Sequence, residues 1–136
     1  MTKKVLIVED EIFVALEVEH IVNGLGHSVV GIAPDRRQAM TLCRDAEIAL
    51  VDVNLRDGQT GGIIGRELAT RGMTVIFMTA NPAVLGEGVE GTVGVLTKPC
   101  SHRAVGAAIA YATRRGGQDN LPPPEGFRVF KTGTRR

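Results

Sequence analysis

The sequence predicts an α/β fold, a doubly wound sheet of five parallel strands. Two observations carry that prediction. Short apolar runs rich in β-branched residues alternate with longer segments whose apolar residues recur at helical spacing. The runs are almost continuously apolar, as in strands buried on both faces rather than half-solvated ones. Strand–helix alternation in turn implies right-handed crossovers and a parallel sheet.

The strand-like runs are residues 4–8, 28–32, 48–51, 74–78 and 93–97. Between the first two, Val14, Val18, Ile21 and Leu25 form a helical stripe, and Gly26 is placed to end it. After Pro34, Asp35 can cap a second helix, with Gln38 three residues on. Ala39, Leu42 and Cys43 then face inward. A third helix is expected over residues 61–71, although Gly61, Gly62 and Gly65 each weaken it by roughly 1 kcal/mol. The last helix covers residues 101–115, with Val105, Ala108, Ile109 and Ala112 on one face. Residues 80–93 break the pattern with Asn81, Pro82, Gly86, Gly88 and Gly91. Only 82–85 can make a helical turn, so the fourth helix is expected to be short or missing and the loop mobile. Such units fit the flavodoxin-like strand order 2-1-3-4-5.

The predicted body is residues 1–115, and residues 116–136 form a Pro/Gly-rich tail. Gly116, Gly117 and Pro122 to Pro124 read as a linker, followed by Phe127, Phe130 and a basic end. Two readings of the tail stay open: a flexible end, or a docking peptide that uses the two phenylalanines. The chain has 136 residues and a net charge of +1, so bulk charge favours neither nucleic acid nor membrane. With no secretory leader and no span-length apolar run, the expected location is the cytoplasm. Cys43 and Cys100 have no metal-ligand spacing and are read as unpaired.

Chemistry-bearing residues stand where the apolar runs stop. Glu9, Asp10 and Glu11 follow Val8, Asp52 follows Val51, Thr79 follows Met78, and Lys98 follows Thr97. In an open parallel sheet, functional groups collect beyond the carboxyl ends of the strands. Two carboxylates 4 Å apart repel by about 4 kcal/mol at an effective dielectric of 20. Lys98 offsets part of that, and a divalent cation would complete the compensation. Oxygen ligands without His or Cys favour Mg²⁺ or Mn²⁺. Carboxylate, hard cation, hydroxyl and ammonium together suit phosphoryl transfer, with Asp52 as nucleophile. Lys98 and the cation would neutralise the phosphoryl oxygens, and the Thr79 hydroxyl would donate to one of them.

The motifs Leu6-Ile7-Val8-Glu9-Asp10-Glu11, Leu50-Val51-Asp52-Val53-Asn54-Leu55, Phe77-Met78-Thr79-Ala80-Asn81 and Leu96-Thr97-Lys98-Pro99 carry a resemblance. Taken in this order, they make residues 4–115 resemble the CheY-like receiver domain of two-component response regulators, and most of all the single-domain receivers of alphaproteobacteria. The resemblance implies Asp52 as phosphoacceptor. It implies Asp10, Asp52 and the main-chain carbonyl of Asn54 as Mg²⁺ ligands, with Glu9 acting through the outer shell. Thr79 and Lys98 become the switch hydroxyl and the phosphoryl-contacting lysine. Pro99 follows a cis bond, and Ala80 and Asn81 lie at the rim of the site. Receivers commonly carry an aromatic residue where this chain has Val95, which puts the usual Thr–aromatic coupling in doubt.

The expected function is that of a stand-alone receiver. A sensor histidine kinase or histidine phosphotransfer protein phosphorylates it, and it acts by binding an output protein or by storing and relaying phosphate. The tail is too short for a DNA-binding module, and a homodimer is left open. It is read as a phosphoacceptor, not an enzyme with turnover. The alternative is a scaffold of the same fold that binds proteins without phosphorylation. An aspartyl phosphatase would want a second acid two residues beyond the nucleophile, where Asn54 stands. A flavodoxin-type cofactor protein would want a phosphate-binding loop after the first strand, where Glu9, Asp10 and Glu11 stand.

Overall fold

The computed structural model describes residues 2–114 and 122–130. Residues 116–121 of the predicted linker and the basic end at 131–136 lie outside the described residues. Strands β1 (Lys4–Val8), β2 (Ser28–Ala33), β3 (Ile48–Asp52), β4 (Thr74–Thr79) and β5 (Gly94–Thr97) pair in parallel in the order β2-β1-β3-β4-β5. Each lies within a residue of its expected bounds. Alternate residues enter two cores, because successive side chains of a strand point to opposite faces. Val5, Ile7, Leu50, Ile76 and Met78 line one face, and Leu6, Val8, Val51, Val75 and Phe77 line the other.

Helices α1 (Ile12–Gly24) and α4 (His102–Arg114) cover the first face, and α2 (Arg36–Leu42) and α3 (Gly61–Thr70) the second. Asp35 caps α2, its carboxylate accepting the Gln38 amide at 2.9 Å. Val105, Ala108, Ile109 and Ala112 are the buried stripe of α4. The stripe of α1 is rotated from the expected one. Ala15, Val18, Ile21 and Val22 are buried, whereas Leu25 caps the helix and is exposed. The glycines that weaken α3 as a helix let it approach the sheet. A Cβ on Gly61 would collide with the backbone of Asp52 and Val53, and one on Gly65 with the Phe77 ring.

Between β4 and β5 the chain makes one 3₁₀ turn, Pro82–Leu85, in place of a fourth helix. The sheet carries a further strand, β6 (Phe127–Val129), that the sequence pattern did not place. It pairs antiparallel with β5, Leu96 opposite Phe127 and Gly94 opposite Val129, so the sheet is mixed and six-stranded. Residues 127–130 of the predicted tail lie against the sheet of the body. Phe127 and Phe130 are three residues apart, so an extended chain sends them to opposite faces. Phe127 meets Tyr111 of α4 edge-on at 6.0 Å, and Phe130 meets Phe77 at 6.2 Å between centroids. Both phenylalanines are buried.

Candidate functional site

The site is built from the carboxyl ends of β1, β3, β4 and β5, which parallel pairing brings to one edge of the sheet. Glu9 follows β1 and is buried, with 1% of its surface exposed, whereas neighbouring Asp10 is exposed. Asp52 ends β3 and Thr79 ends β4, and both are buried. Lys98 follows β5 and reaches back over the edge. Its Nζ donates to Glu9 Oε1 at 2.9 Å and to Asp52 Oδ2 at 3.1 Å.

Main-chain donors fix the remaining oxygens. The Glu11 amide donates to Glu9 Oε2 at 3.2 Å, and the Asn54 amide to Asp52 Oδ1 at 3.3 Å. The Asn81 amide donates to Thr79 Oγ1 at 3.2 Å, and the Lys98 amide to the Thr79 carbonyl at 2.9 Å. The Lys98–Pro99 peptide is cis. Asn54, Ala80, Asn81 and Pro99 are exposed around the buried centre.

Burial pushes the Glu9 carboxyl up to about 7 against the pull of the Lys98 ammonium, and neighbouring Asp52 adds to the rise. Burial also works against the Lys98 charge, but the Glu9 and Asp52 carboxylates outweigh it and hold its pKa above that of an ordinary lysine. Ligand oxygens of Glu9, Asp10 and Asp52 lie within 4.8 Å of one another. Among the described residues, this is the one such group of three or more metal-ligating side chains. Three carboxylates facing one ammonium leave excess negative charge, and the donors are all oxygen. The residues fit a hard divalent cation such as Mg²⁺.

No family model matches the chain. The Phyllosphere-induced regulator PhyR of Methylorubrum extorquens is 35% identical over 118 residues, covering 82% of this chain and 44% of that protein. The chain therefore spans less than half the length of the curated relative it matches. The solution structure of the Erythrobacter litoralis PhyR response regulator REC domain matches at 31% identity with a TM-score of 0.75. The match covers 89% of this chain and 95% of that domain. The chain belongs to the receiver domains of response regulators. A co-crystal structure of the Bartonella quintana anti-anti-sigma factor PhyR with the anti-sigma factor NepR matches at 32% identity and a TM-score of 0.54. It covers 57% of this chain and 33% of that one.

In this receiver domain Val95 is fully buried in the same core as Phe77 and Phe130. Two features escaped the sequence pattern as read above. Ile12, Phe13 and Leu16 at the start of α1 are exposed beside the acidic cluster, Phe13 to 84%. They fall off the buried stripe of the helix, a signal that periodicity carried. The second feature is the seat of β6 beside the loop after Thr79, which no local pattern announces.

Proposed function

We propose that this receiver domain accepts a phosphoryl group on Asp52 from a phosphohistidine of a sensor kinase or phosphotransfer protein in the cytoplasm. The observation that carries this reading is the Lys98 ammonium bonded at once to Glu9 and Asp52, with Asp10 beside them. An Asp52 carboxylate oxygen attacks phosphorus, and the bond from phosphorus to the donor imidazole nitrogen breaks. An acyl phosphate forms, and the imidazole leaves with a proton. Lys98 would turn from the carboxylates to the incoming phosphoryl oxygens, and the Thr79 hydroxyl would donate to another. Mg²⁺ or Mn²⁺, held by Asp10, Asp52 and the Asn54 carbonyl with Glu9 in support, would supply further neutralisation of those oxygens. The exposed apolar start of α1 offers the donor a docking patch within a few residues of Asp10.

On this reading the domain is a phosphoacceptor without turnover, and its output is protein binding or phosphate relay. The PhyR–NepR complex supports protein binding as the output class. A scaffold that never meets phosphate would have no use for a buried Glu9 charge beside Lys98, an arrangement that costs folding energy. The test is incubation with acetyl phosphate and Mg²⁺ followed by intact-mass measurement. The wild-type chain is expected to gain one phosphoryl group and Asp52→Asn none. Equal labelling of both, or of neither when a kinase donor is also supplied, would discard the reading.

A further inference from the structure

Two hydrogen bonds tie the C-terminal strand to the loop beside the phosphoryl site. Arg128 of β6 donates from Nη1 to the Gly86 carbonyl at 3.0 Å and from Nη2 to the Pro82 carbonyl at 2.9 Å. Those carbonyls belong to the loop that follows Thr79, and its Asn81 amide donates to Thr79 Oγ1. The Arg128 guanidinium also lies 5.3 Å from the centre of the Phe130 ring. That ring is seated where Gly88 leaves it room, since a Cβ there would strike it. Gly94 of β5 does the same for the strand itself, because a Cβ there would meet the Arg128 carbonyl. The buried aromatic ring beside Val95 thus comes from the far end of the chain.

We propose that Arg128 and Phe130 are positioning residues for the phosphoryl site, and that β6 restrains the Thr79 loop in its unmodified setting. The proposal rests on Asp52 being the phosphoacceptor. A phosphoryl group brings nearly two negative charges and three acceptor oxygens to the site. The Thr79 hydroxyl turns toward them, and the Asn81 amide bonded to it draws the loop along. Arg128 holds the same loop from the other side. Contacts made in the unmodified state oppose leaving it, so cutting them shifts the population toward the phosphoryl-bound state. By reciprocity, filling the site loosens β6.

The test uses beryllofluoride, a phosphoryl mimic, titrated into the full chain at saturating Mg²⁺ and followed by NMR. Arg128→Ala is expected to bind it roughly 3- to 10-fold more tightly than wild type, the range of a modest energetic coupling. Arg128→Lys, which keeps the charge but lacks the planar two-nitrogen fork, is expected to fall between them. In the wild type, beryllofluoride is expected to speed amide exchange at Thr97 and Phe130, whose N–H groups bond to Gly126 and Val93. A strand that only stabilises the fold would move none of these readouts. Unchanged or weaker binding by Arg128→Ala, while acetyl phosphate still labels Asp52, overturns the proposal and leaves the phosphoacceptor reading standing. Failure of the wild type to take either reagent removes both.

Discussion

Lys98 Nζ lies 2.9 Å from the buried Glu9 carboxylate, a contact that closes 89 residues of chain. The same ammonium touches Asp52, so one cation serves two acids. Removing it leaves Glu9 buried and unpaired, and takes away the pull that holds its carboxyl down against burial. Losing one partner of a buried pair costs about 3–5 kcal/mol, and the partial exposure of Lys98 reduces that to about 2. Lys98→Ala should lower the urea midpoint at neutral pH accordingly, and Lys98→Ala/Glu9→Gln should recover most of the loss. A double variant no more stable than the single one would mean that Glu9 and Lys98 do not compensate each other.

Divalent cation should stabilise the fold. A ligand that binds only the folded state adds about 2.7 kcal/mol at a hundred times its dissociation constant. Calorimetry with and without MgCl₂ should show a rise in melting temperature that Asp10→Asn largely abolishes. Without metal, Asp10→Asn should be no less stable than wild type, because exposed Asp10 adds only repulsion to Glu9 and Asp52. A metal-free loss of stability would assign Asp10 a structural role instead.

Two glycine-to-alanine changes in helices should differ in sign. Gly24 ends α1, and a Cβ added there would have nothing within 4 Å, so Gly24→Ala should gain about 0.5–1 kcal/mol. Gly65 faces the fully buried Phe77 ring, so Gly65→Ala should cost about 2 kcal/mol despite better helix propensity. Chemical denaturation reads both, and equal signs would refute the packing account of α3.

His27 should make stability depend on pH. Its Nδ1 accepts the Lys3 amide at 3.0 Å, which requires an unprotonated nitrogen. Burial lowers its pKa below the ordinary histidine value, and the positive charge of Lys3 adds to the effect. The unfolded chain therefore binds more protons in this range, and the His27 contribution is complete above about 6.5. It is lost as pH falls through the lower folded value. The difference in stability between wild type and His27→Gln should shrink on acidification, and a difference independent of pH would remove His27 as the source.

Much of the site was legible because it is assembled from strand ends. Apolar runs stop at Val8, Val51, Met78 and Thr97, and the residues that follow meet at the edge of a parallel sheet once the runs are recognised as strands. Helix caps were legible for the same local reason, as with Asp35 and Gln38. The stripe of α1 was misjudged at Leu25, which lies against Gly106 of α4 yet stays exposed, since periodicity does not say how much cover a glycine-bearing neighbour gives.

The sequence by itself determined the five strand segments and the acid, hydroxyl and ammonium groups at their tips, because backbone periodicity and strand-end position are local properties, whereas their order followed from the fold type that the alternation fits. Only the tertiary structure decided that Phe127 and Phe130 straddle the edge of the sheet, that Gly88 and Gly94 make room for them, and that Arg128 grips the loop after Thr79. Those contacts join segments some 40 residues apart, as with Arg128 and Gly86. They depend on β5 being the edge of the parallel strand order, and a short polar-flanked run such as Phe127–Val129 carries too little pattern to announce its partner.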